Sequence, residues 1–289
     1  MVALRKLQEQ AKRIQSKPPL DRWLKDPQLW IEVFVLVNLG FLALDIYLAH
    51  STNQFRRSSE YIPLYFSLVA PIVLLIALLA RERFDYAAVW RDLGYLVGWL
   101  SILIGLTGVI LHLDSRFFYD NTLKSLTYAA PFAAPLAYTG VGLLLVMNRM
   151  VSAEKSDWAY WVLLLALGGF FGNFIFSLTD HATNGFFRTV EWLPVVSSAF
   201  AVSFLAVPFV VAVNRQFLLL CAAILLFQSL VGVAGFALHV IADFGGPSSR
   251  LFENIVHGAP PFAPLLFPNL VLLSGIALWE LRRHVASSS

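Results

Sequence analysis

Eight long apolar stretches divide this 289-residue chain and leave only short polar connections between them. A helix of about 20 apolar residues is long enough to cross a bilayer. It is stable in lipid because its backbone N–H and C=O groups form hydrogen bonds within the helix. Hydrophobic residues make up 58% of the chain and charged residues 13%, against about 25% charged in a soluble domain. The sequence therefore predicts an all-α polytopic membrane protein. The eight predicted transmembrane helices span residues 29–49, 61–80, 93–113, 126–147, 158–179, 193–213, 217–241 and 256–279.

Positive charge is distributed unevenly over the connections. Fifteen Lys and Arg residues lie in the termini and connections on one side of the predicted helices, and six lie on the other side. Lys and Arg concentrate on the cytoplasmic side of membrane proteins. We therefore expect both termini in the cytoplasm, and a bacterial inner membrane as the location. Residues 1–27 form a separate basic segment, in which residues 1–17 are predicted to be an amphipathic helix lying on membrane lipid.

A 14-residue motif occurs twice in the chain. HSTNQFRRSSEYIP at His50–Pro63 and HATNGFFRTVEWLP at His181–Pro194 are identical at seven positions, with a constant offset of 131. A second motif, GxxGxxLH, ends the third and seventh apolar stretches at residues 105–112 and 232–239. Two recurrences in the same order indicate an internal duplication.

The duplication divides the membrane region into two units, residues 28–150 and 151–289. Each unit contains four of the predicted helices. Because four is an even number, both units have the same orientation, and parallel repeats of this kind are related by an axis along the membrane normal. The predicted architecture is thus two four-helix units in parallel repeat.

Two histidines and one glutamate of each unit fall at the same predicted membrane surface. These residues are His50, Glu60 and His112 in the first unit and His181, Glu191 and His239 in the second. Imidazole and carboxylate groups bind divalent metals such as copper, zinc or iron. His50, Glu60, His181 and Glu191 are therefore candidate metal ligands. The alternative is a well-capped hairpin that duplication has copied, with the acid favoured at a helix N-terminus.

His112 and His239 are candidates for cofactor binding. Two histidines on facing helices are the usual axial ligands of a haem inside a bundle, and the nearby glycines leave room for a porphyrin edge. A quinol headgroup that exchanges protons with imidazole is the other organic candidate. Small residues at these positions also simply allow close helix packing.

A proline-rich stretch follows the second histidine in each unit, AAPFAAP in the first and APPFAP in the second. It is typical of the wall of an outward-facing apolar pocket, and equally of a kinked helix entry. We assign Pro131, Pro261 and Phe262 to this candidate pocket, together with His257, which has no counterpart in the first unit. If one unit alone is active, the second is favoured, with His239 and His257 as the pair.

Five further polar residues complete the candidate set. Asp45 lies inside the first predicted helix, and an intramembrane acid is by default a functional-site hypothesis. The loops contribute Asn53, Arg57, Asn184 and Arg188. Each Arg precedes a Glu by three residues, so an ion pair on one helical turn is predicted in both copies.

Three functions are compatible with these features. The first is a membrane subunit of an electron-transfer assembly, with an outward pocket for quinol, haem or a metal. This layout resembles the quinol-interacting membrane subunits of redox complexes, at the level of the fold alone. The second is a small-solute transporter that uses the interface between the units, and the third is a scaffold that docks a periplasmic partner. No nucleotide-binding or hydrolase motif is present, so whether the chain is itself an enzyme stays open.

Overall fold

The computed structural model describes residues 25–84 and 86–288, and this part of the chain consists of helices joined by short turns, with no strand. The predicted amphipathic helix within residues 1–17 lies outside it. In chain order the α-helices are α1 (Pro27–Ser51), α2 (Tyr61–Phe84), α3 (Ala87–Asp114), α4 (Phe117–Asp120), α5 (Leu123–Thr127), α6 (Leu136–Met150), α7 (Ser156–Thr183), α8 (Trp192–Ala206), α9 (Arg215–Phe244), α10 (Leu251–His257) and α11 (Leu266–Ser288).

Seven helical stretches of the described residues are long and apolar enough to cross a membrane. They correspond to α1, α2, α3, α7, α8, α9 and α11, and they are 21 to 30 residues long. The predicted all-α integral membrane protein is confirmed at this level. The remaining long helix, α6, has 15 residues, where the sequence predicts an eighth full-length helix.

Prolines account for the two largest differences between predicted and observed helices. The helix predicted at 126–147 begins at Leu136, and the helix predicted at 256–279 begins at Leu266. Pro131 and Pro135 precede the first of these, and a similar proline series precedes the second. Proline has no amide hydrogen and clashes with the preceding helical turn, so each stretch enters its helix through a turn.

Glycines bring α3 and α6 into close contact. A methyl group added at Gly142 would lie 2.5 Å from the carbonyl oxygen of Gly98 and 2.8 Å from Cγ1 of Ile102. A methyl group at Gly105 would lie 2.9 Å from the carbonyl oxygen of Pro135. The GxxG pattern therefore lets backbones approach, as small residues do in membrane helices. The same role falls to Gly232, which faces the α11 entry at Pro264.

The two ends of the bundle differ in chemistry. At one end, called here the histidine end, α1, α3, α7 and α9 finish near His50, His112, His181 and His239. At the opposite end, called here the tryptophan end, α1 begins next to Trp30. The candidate site is therefore confined to the histidine end.

Short helices at the histidine end cross between the two halves of the chain. The helix α5 contacts α7, and α10 contacts α1. Phe262, which follows α10, packs edge-on against Phe41 of α1 with ring centroids 5.2 Å apart. Each half thus covers the first helix of the other half.

A buried ion pair joins α1 to α6 near the tryptophan end. The Arg149 side chain is fully buried and bonds both carboxylate oxygens of Glu32, with 2.8 Å between Nη2 and Oε2. Its guanidinium carbon lies 3.7 Å from the ring centroid of Trp90. Asn148 donates to Glu32 as well, across 2.7 Å, and accepts from the indole of Trp158 across 3.1 Å. Every charged atom of the pair therefore has a partner, as a buried pair requires.

Candidate functional site

Both copies of the repeated motif fold into the same loop after a long helix. The carbonyl oxygen of His50 accepts from the amide of Phe55 across 3.1 Å, and that of His181 accepts from the amide of Phe186 across 3.2 Å. The chain then enters a single 3-10 turn, at Ser58–Glu60 in the first copy and Thr189–Glu191 in the second. The sequence identity of the motif therefore corresponds to identity of backbone path.

The phenylalanine of each loop adopts a left-handed backbone conformation. Phe55 has φ 50° and Phe186 has φ 53°, which a residue with a side chain rarely adopts. The rings offset this strain by stacking. Phe55 lies on Tyr61 with centroids 4.7 Å apart, and Phe186 lies on Trp192 with centroids 4.0 Å apart. The loop is thereby fixed over the first turn of the next helix.

In each loop the glutamate carboxylate lies close to the histidine imidazole. Nδ1 of His50 lies 3.7 Å from Oε2 of Glu60, and Nδ1 of His181 lies 4.0 Å from Oε2 of Glu191. Both Oε2 atoms are buried and have no hydrogen-bond partner. A buried carboxylate oxygen without a donor is costly, so a proton, a water molecule or a cation is needed at this point in each copy.

The second histidine of each half is held by a backbone carbonyl group. Nδ1 of His112 lies 2.9 Å from the oxygen of Pro131, and Nδ1 of His239 lies 2.8 Å from the oxygen of Pro260. A carbonyl oxygen only accepts, so Nδ1 carries the hydrogen. In the neutral ring Nε2 is then left with its lone pair. The tautomer needed for a hydrogen-bond acceptor or a metal ligand is thus set in both halves.

In the first half the ring centroids of His50 and His112 lie 6.3 Å apart. In the second half His239 interacts electrostatically with His181, and also with Asp180 and Asp243. Asp243 is 3% exposed. Sequence reasoning missed both aspartates, because neither has an acidic counterpart at the matching offset in the first half. The second site therefore includes two aspartates in addition to its histidines and glutamate.

In the described structure, the residues predicted to bind a metal or a haem do not form a complete set of ligands. Among the described residues no group of three or more His, Cys, Asp or Glu side chains is arranged to hold a metal ion. For haem, α3 packs mainly on α6 and α2, whereas α9 packs mainly on α11 and α8. His112 and His239 thus lie in separate helix clusters, each with its own carbonyl partner.

The predicted ion pairs between Arg57 and Glu60 and between Arg188 and Glu191 are wrong. Both arginine side chains are exposed, and each glutamate turns inward to its histidine. Each arginine precedes the 3-10 turn and has an extended backbone, so the arginine and the glutamate do not share a helical turn. The arginine carbonyl oxygens instead accept the amide hydrogens of the glutamates, across 3.0 Å and 2.9 Å.

The two loop asparagines differ. Asn53 donates to Oε1 of Glu60 across 3.0 Å, and its Oδ1 accepts from the amide of Phe55 across 3.1 Å. Asn184 is exposed and ends α7, with its amide donating to the carbonyl oxygen of His181 across 3.2 Å. Only the first copy therefore fixes its glutamate through the asparagine side chain.

The remaining predicted residues are dispersed. Pro261 is buried, and Phe262 packs between Phe41 and Phe236. His257 ends α10 with an exposed side chain, and among the described contacts it has none with His239. Asp45 is partly buried on α1 and forms no ion pair with the neighbouring loop arginines in the described structure.

Two cavities lie away from the predicted outward pocket. One is lined by residues of α7, including Tyr160, and by Phe209, which follows α8. The other lies between α1 and α11 towards the tryptophan end.

Comparisons with known proteins do not assign a family. No protein-family model, no curated protein and no solved structure matches this chain. The class that the fold defines is an all-helical integral membrane protein.

Proposed function

We propose that this protein is the membrane subunit of an electron-transfer assembly and that its two histidine–glutamate sites accept protons from a quinol. The observation that carries the proposal is the twofold occurrence of an imidazole facing a buried carboxylate oxygen that has no donor. A proton taken up by the imidazole places a positive charge 3.7 Å from that oxygen in the first copy and 4.0 Å from it in the second.

The roles of the two histidines follow from their partners. His112 and His239 keep their Nδ1 hydrogens on carbonyl oxygens, so each offers Nε2 as an acceptor that orients a quinol hydroxyl. His50 and His181 face Glu60 and Glu191. When either ring takes a proton at Nε2, the resulting imidazolium is stabilised by that carboxylate.

The oxidation step balances as follows. The two O–H bonds of the quinol break, and each proton passes to an imidazole Nε2. The two electrons pass to a redox centre of a partner subunit, and quinone leaves. Histidine is suited to this transfer because its ordinary pKa lies close to neutral pH. The protons then leave from the histidine end into the surrounding water.

Quinol oxidation by the assembly purified from native membranes in mild detergent tests this proposal. We compare the double variants His50→Gln/His181→Gln and Glu60→Gln/Glu191→Gln with the control Arg57→Gln/Arg188→Gln, whose side chains are exposed in the same loops. We expect the first two to lose about 100-fold or more in turnover while their partner subunits stay bound. Full activity of the histidine variant would contradict the proposal.

A docking scaffold is the second candidate function. It is favoured by the exposed, like-charged Arg57 and Arg188 side chains at the same place in both loops, which suit an acidic partner surface. In the same experiment, the scaffold function predicts the opposite effects of the variants on partner binding. The arginine double variant then loses its partner, and the histidine and glutamate variants keep it.

We also infer that α6 with its proline entry forms an eighth span and that the two halves are parallel repeats, with both termini in the cytoplasm of a bacterial inner membrane. The matched loops and the reciprocal contacts of α5 and α10 support this. Cysteines introduced at Ser58 and Thr189 in a Cys221→Ala background test it. Eight spans place both on the same side of the membrane for an impermeant thiol reagent, whereas seven spans place them on opposite sides.

A further inference from the structure

The two halves of the chain differ in the chemistry of their interiors. Matched positions are separated by 131 residues between α1 and α7 and by 127 residues between α3 and α9. At five of these positions the second half carries an amide, a hydroxyl or a carboxylate where the first half has a different group. The pairs are Leu42 and Asn173, Ile46 and Ser177, Ala49 and Asp180, Ser101 and Gln228, and Arg116 and Asp243.

The polar residues of α7 and α9 face the interior of the second half. Asn173 and Ser177 are buried and lie four residues apart, so they share one face of α7. Gln228 is fully buried and precedes His239 by eleven residues, which is about three helical turns, so these two share one face of α9. Both α7 and α9 pack against α8 and α11. The two polar faces are therefore directed into the same four-helix unit.

Two of these side chains have unsatisfied polar atoms in the described structure. Nε2 of Gln228 donates to the carbonyl oxygen of Ser197 across 2.6 Å, but its Oε1 is buried without a donor. Nδ2 of Asn173 is buried without an acceptor, on a residue that is 6% exposed. Such groups are costly inside a membrane protein. Water molecules satisfy buried donors and acceptors of this kind.

The first half satisfies its interior polar groups internally. Ser101 donates to the carbonyl oxygen of Tyr138 across 2.8 Å. The Tyr138 hydroxyl donates to the carbonyl oxygen of Pro63 across 3.0 Å and accepts from the hydroxyl of Ser67. At the offset of 129 that relates the two proline entries, Phe267 takes the place of Tyr138, equally buried but without a hydroxyl. The second half therefore lacks the group that completes this network in the first half.

The polar face of the second half extends inward from the histidine end. Gln228 lies about 16 Å along α9 from His239, roughly half of a hydrocarbon core of about 30 Å. At the outer end, His239 interacts electrostatically with Asp243. Further in than Gln228, the buried residues of α9 are the apolar Leu225 and Cys221. The polar face thus opens at the histidine end and stops near the middle of the membrane.

We propose that the interior of the second half holds a chain of water molecules that enters at the histidine end and reaches Gln228, whereas the interior of the first half is dry. Polar side chains in membrane helices face such water-filled spaces and mark proton paths. In the proposed function, this water gives the protons taken up by His239 a path that the first half lacks. That role rests on the proposed function, whereas the hydration itself does not.

Infrared spectroscopy of the purified full-length protein, mixed with D₂O in the absence of quinol, tests the hydration. The S–H stretching band of a cysteine disappears when its thiol exchanges with deuterated water. Ser177→Cys reports on the second half, and Ile46→Cys is the matched control, because both positions are 8% exposed and correspond in the repeat. Both carry Cys221→Ala, which removes the single native thiol.

We expect the thiol of Ser177→Cys to exchange about 100-fold or more faster than that of Ile46→Cys, because a dry thiol exchanges only when the structure opens. Adding Asn173→Leu/Gln228→Leu removes the two groups that need water, and is expected to slow Ser177→Cys to the rate of the control. Equal exchange rates of the two single-thiol proteins would overturn the proposal, and so would fast exchange that the leucine substitutions leave unchanged. Since no quinol is present, neither result depends on whether the histidines accept its protons.

Discussion

His239 donates its Nδ1 hydrogen to the carbonyl oxygen of Pro260 across 2.8 Å, and so ties the end of α9 to the proline-rich entry of α11. His112 makes the corresponding bond to Pro131 in the first half. The proline entry leaves carbonyl oxygens outside any helix, and such oxygens need donors. One hydrogen bond thus fixes both the helix entry and the tautomer of the ring.

The Nδ1 hydrogen bond of His239 stabilises the fold, whereas its Nε2 atom is the proposed proton acceptor, so substitutions can test the two roles separately. His239→Ala loses the hydrogen bond and is expected to destabilise the protein by about 1 kcal/mol. His239→Asn keeps a side-chain N–H close to the position of Nδ1, and is expected to unfold near the temperature of the unaltered protein. Both variants lack Nε2 and are expected to lose quinol oxidation. Thermal unfolding in detergent, measured beside activity, distinguishes them, and equal melting temperatures for Ala and Asn would argue against the bond.

Two glycines of α6 that lie two residues apart test the close packing of α3 and α6. Gly142→Ala places a methyl group 2.5 Å from the carbonyl oxygen of Gly98, and we expect a loss of about 1–3 kcal/mol. Gly140→Ala meets no atom within 4 Å and is expected to be neutral or slightly stabilising, because alanine favours a helix. Midpoints of thermal unfolding in the same detergent provide the comparison. Similar losses in both variants would show that the helices are not in this contact.

The buried pair of Glu32 and Arg149 predicts a large effect from removal of one partner. Glu32→Ala leaves the fully buried guanidinium of Arg149 without its carboxylate, and we expect a loss of about 3–5 kcal/mol. The double variant Glu32→Leu/Arg149→Met removes both charges and is expected to be more stable than Glu32→Ala. The control is Glu253→Ala, which breaks an exposed pair with Arg250 and is expected to change stability by less than about 1 kcal/mol. A loss in Glu32→Ala no greater than in this control would rule out a buried charge.

The loop at Gln54 offers a stabilising substitution. Gln54 has φ 60°, and the matching position of the second loop is Gly185 with φ 71°. A left-handed conformation costs a residue with a side chain about 1–2 kcal/mol, and glycine adopts it freely. Gln54→Gly is therefore expected to raise stability by about 1 kcal/mol, and Gly185→Gln to lower it by a similar amount. Unfolding midpoints that move in the same direction for both variants would contradict the assigned loop geometry.

The sequence predicts the membrane helices and the matched loops well, because both depend on local patterns. The length of an apolar stretch, such as that of α1, predicts the length of the helix. The repeated His50 and His181 mark the ends of corresponding helices. The convergence of His50 with His112 also follows, since consecutive antiparallel helices bring alternate ends together.

The sequence does not predict contacts between residues that are distant along the chain. Glu32 meets Arg149 across 117 positions, and neither residue belongs to a repeated motif. Asp243 joins His239 because α9 extends one turn beyond the predicted helix. The spacing of Arg57 and Glu60 suits an α-helical pair, but Arg57 has an extended backbone and precedes the 3-10 turn that carries Glu60.

The most direct test of the account is the infrared difference spectrum between the quinol and quinone states of the purified assembly, recorded with and without ¹⁵N-labelled histidine. Proton transfer to these histidines predicts imidazolium bands on quinol oxidation that shift with the label and disappear in His50→Gln/His181→Gln. A spectrum without histidine bands, recorded while quinol is being oxidised, would contradict proton transfer to these sites.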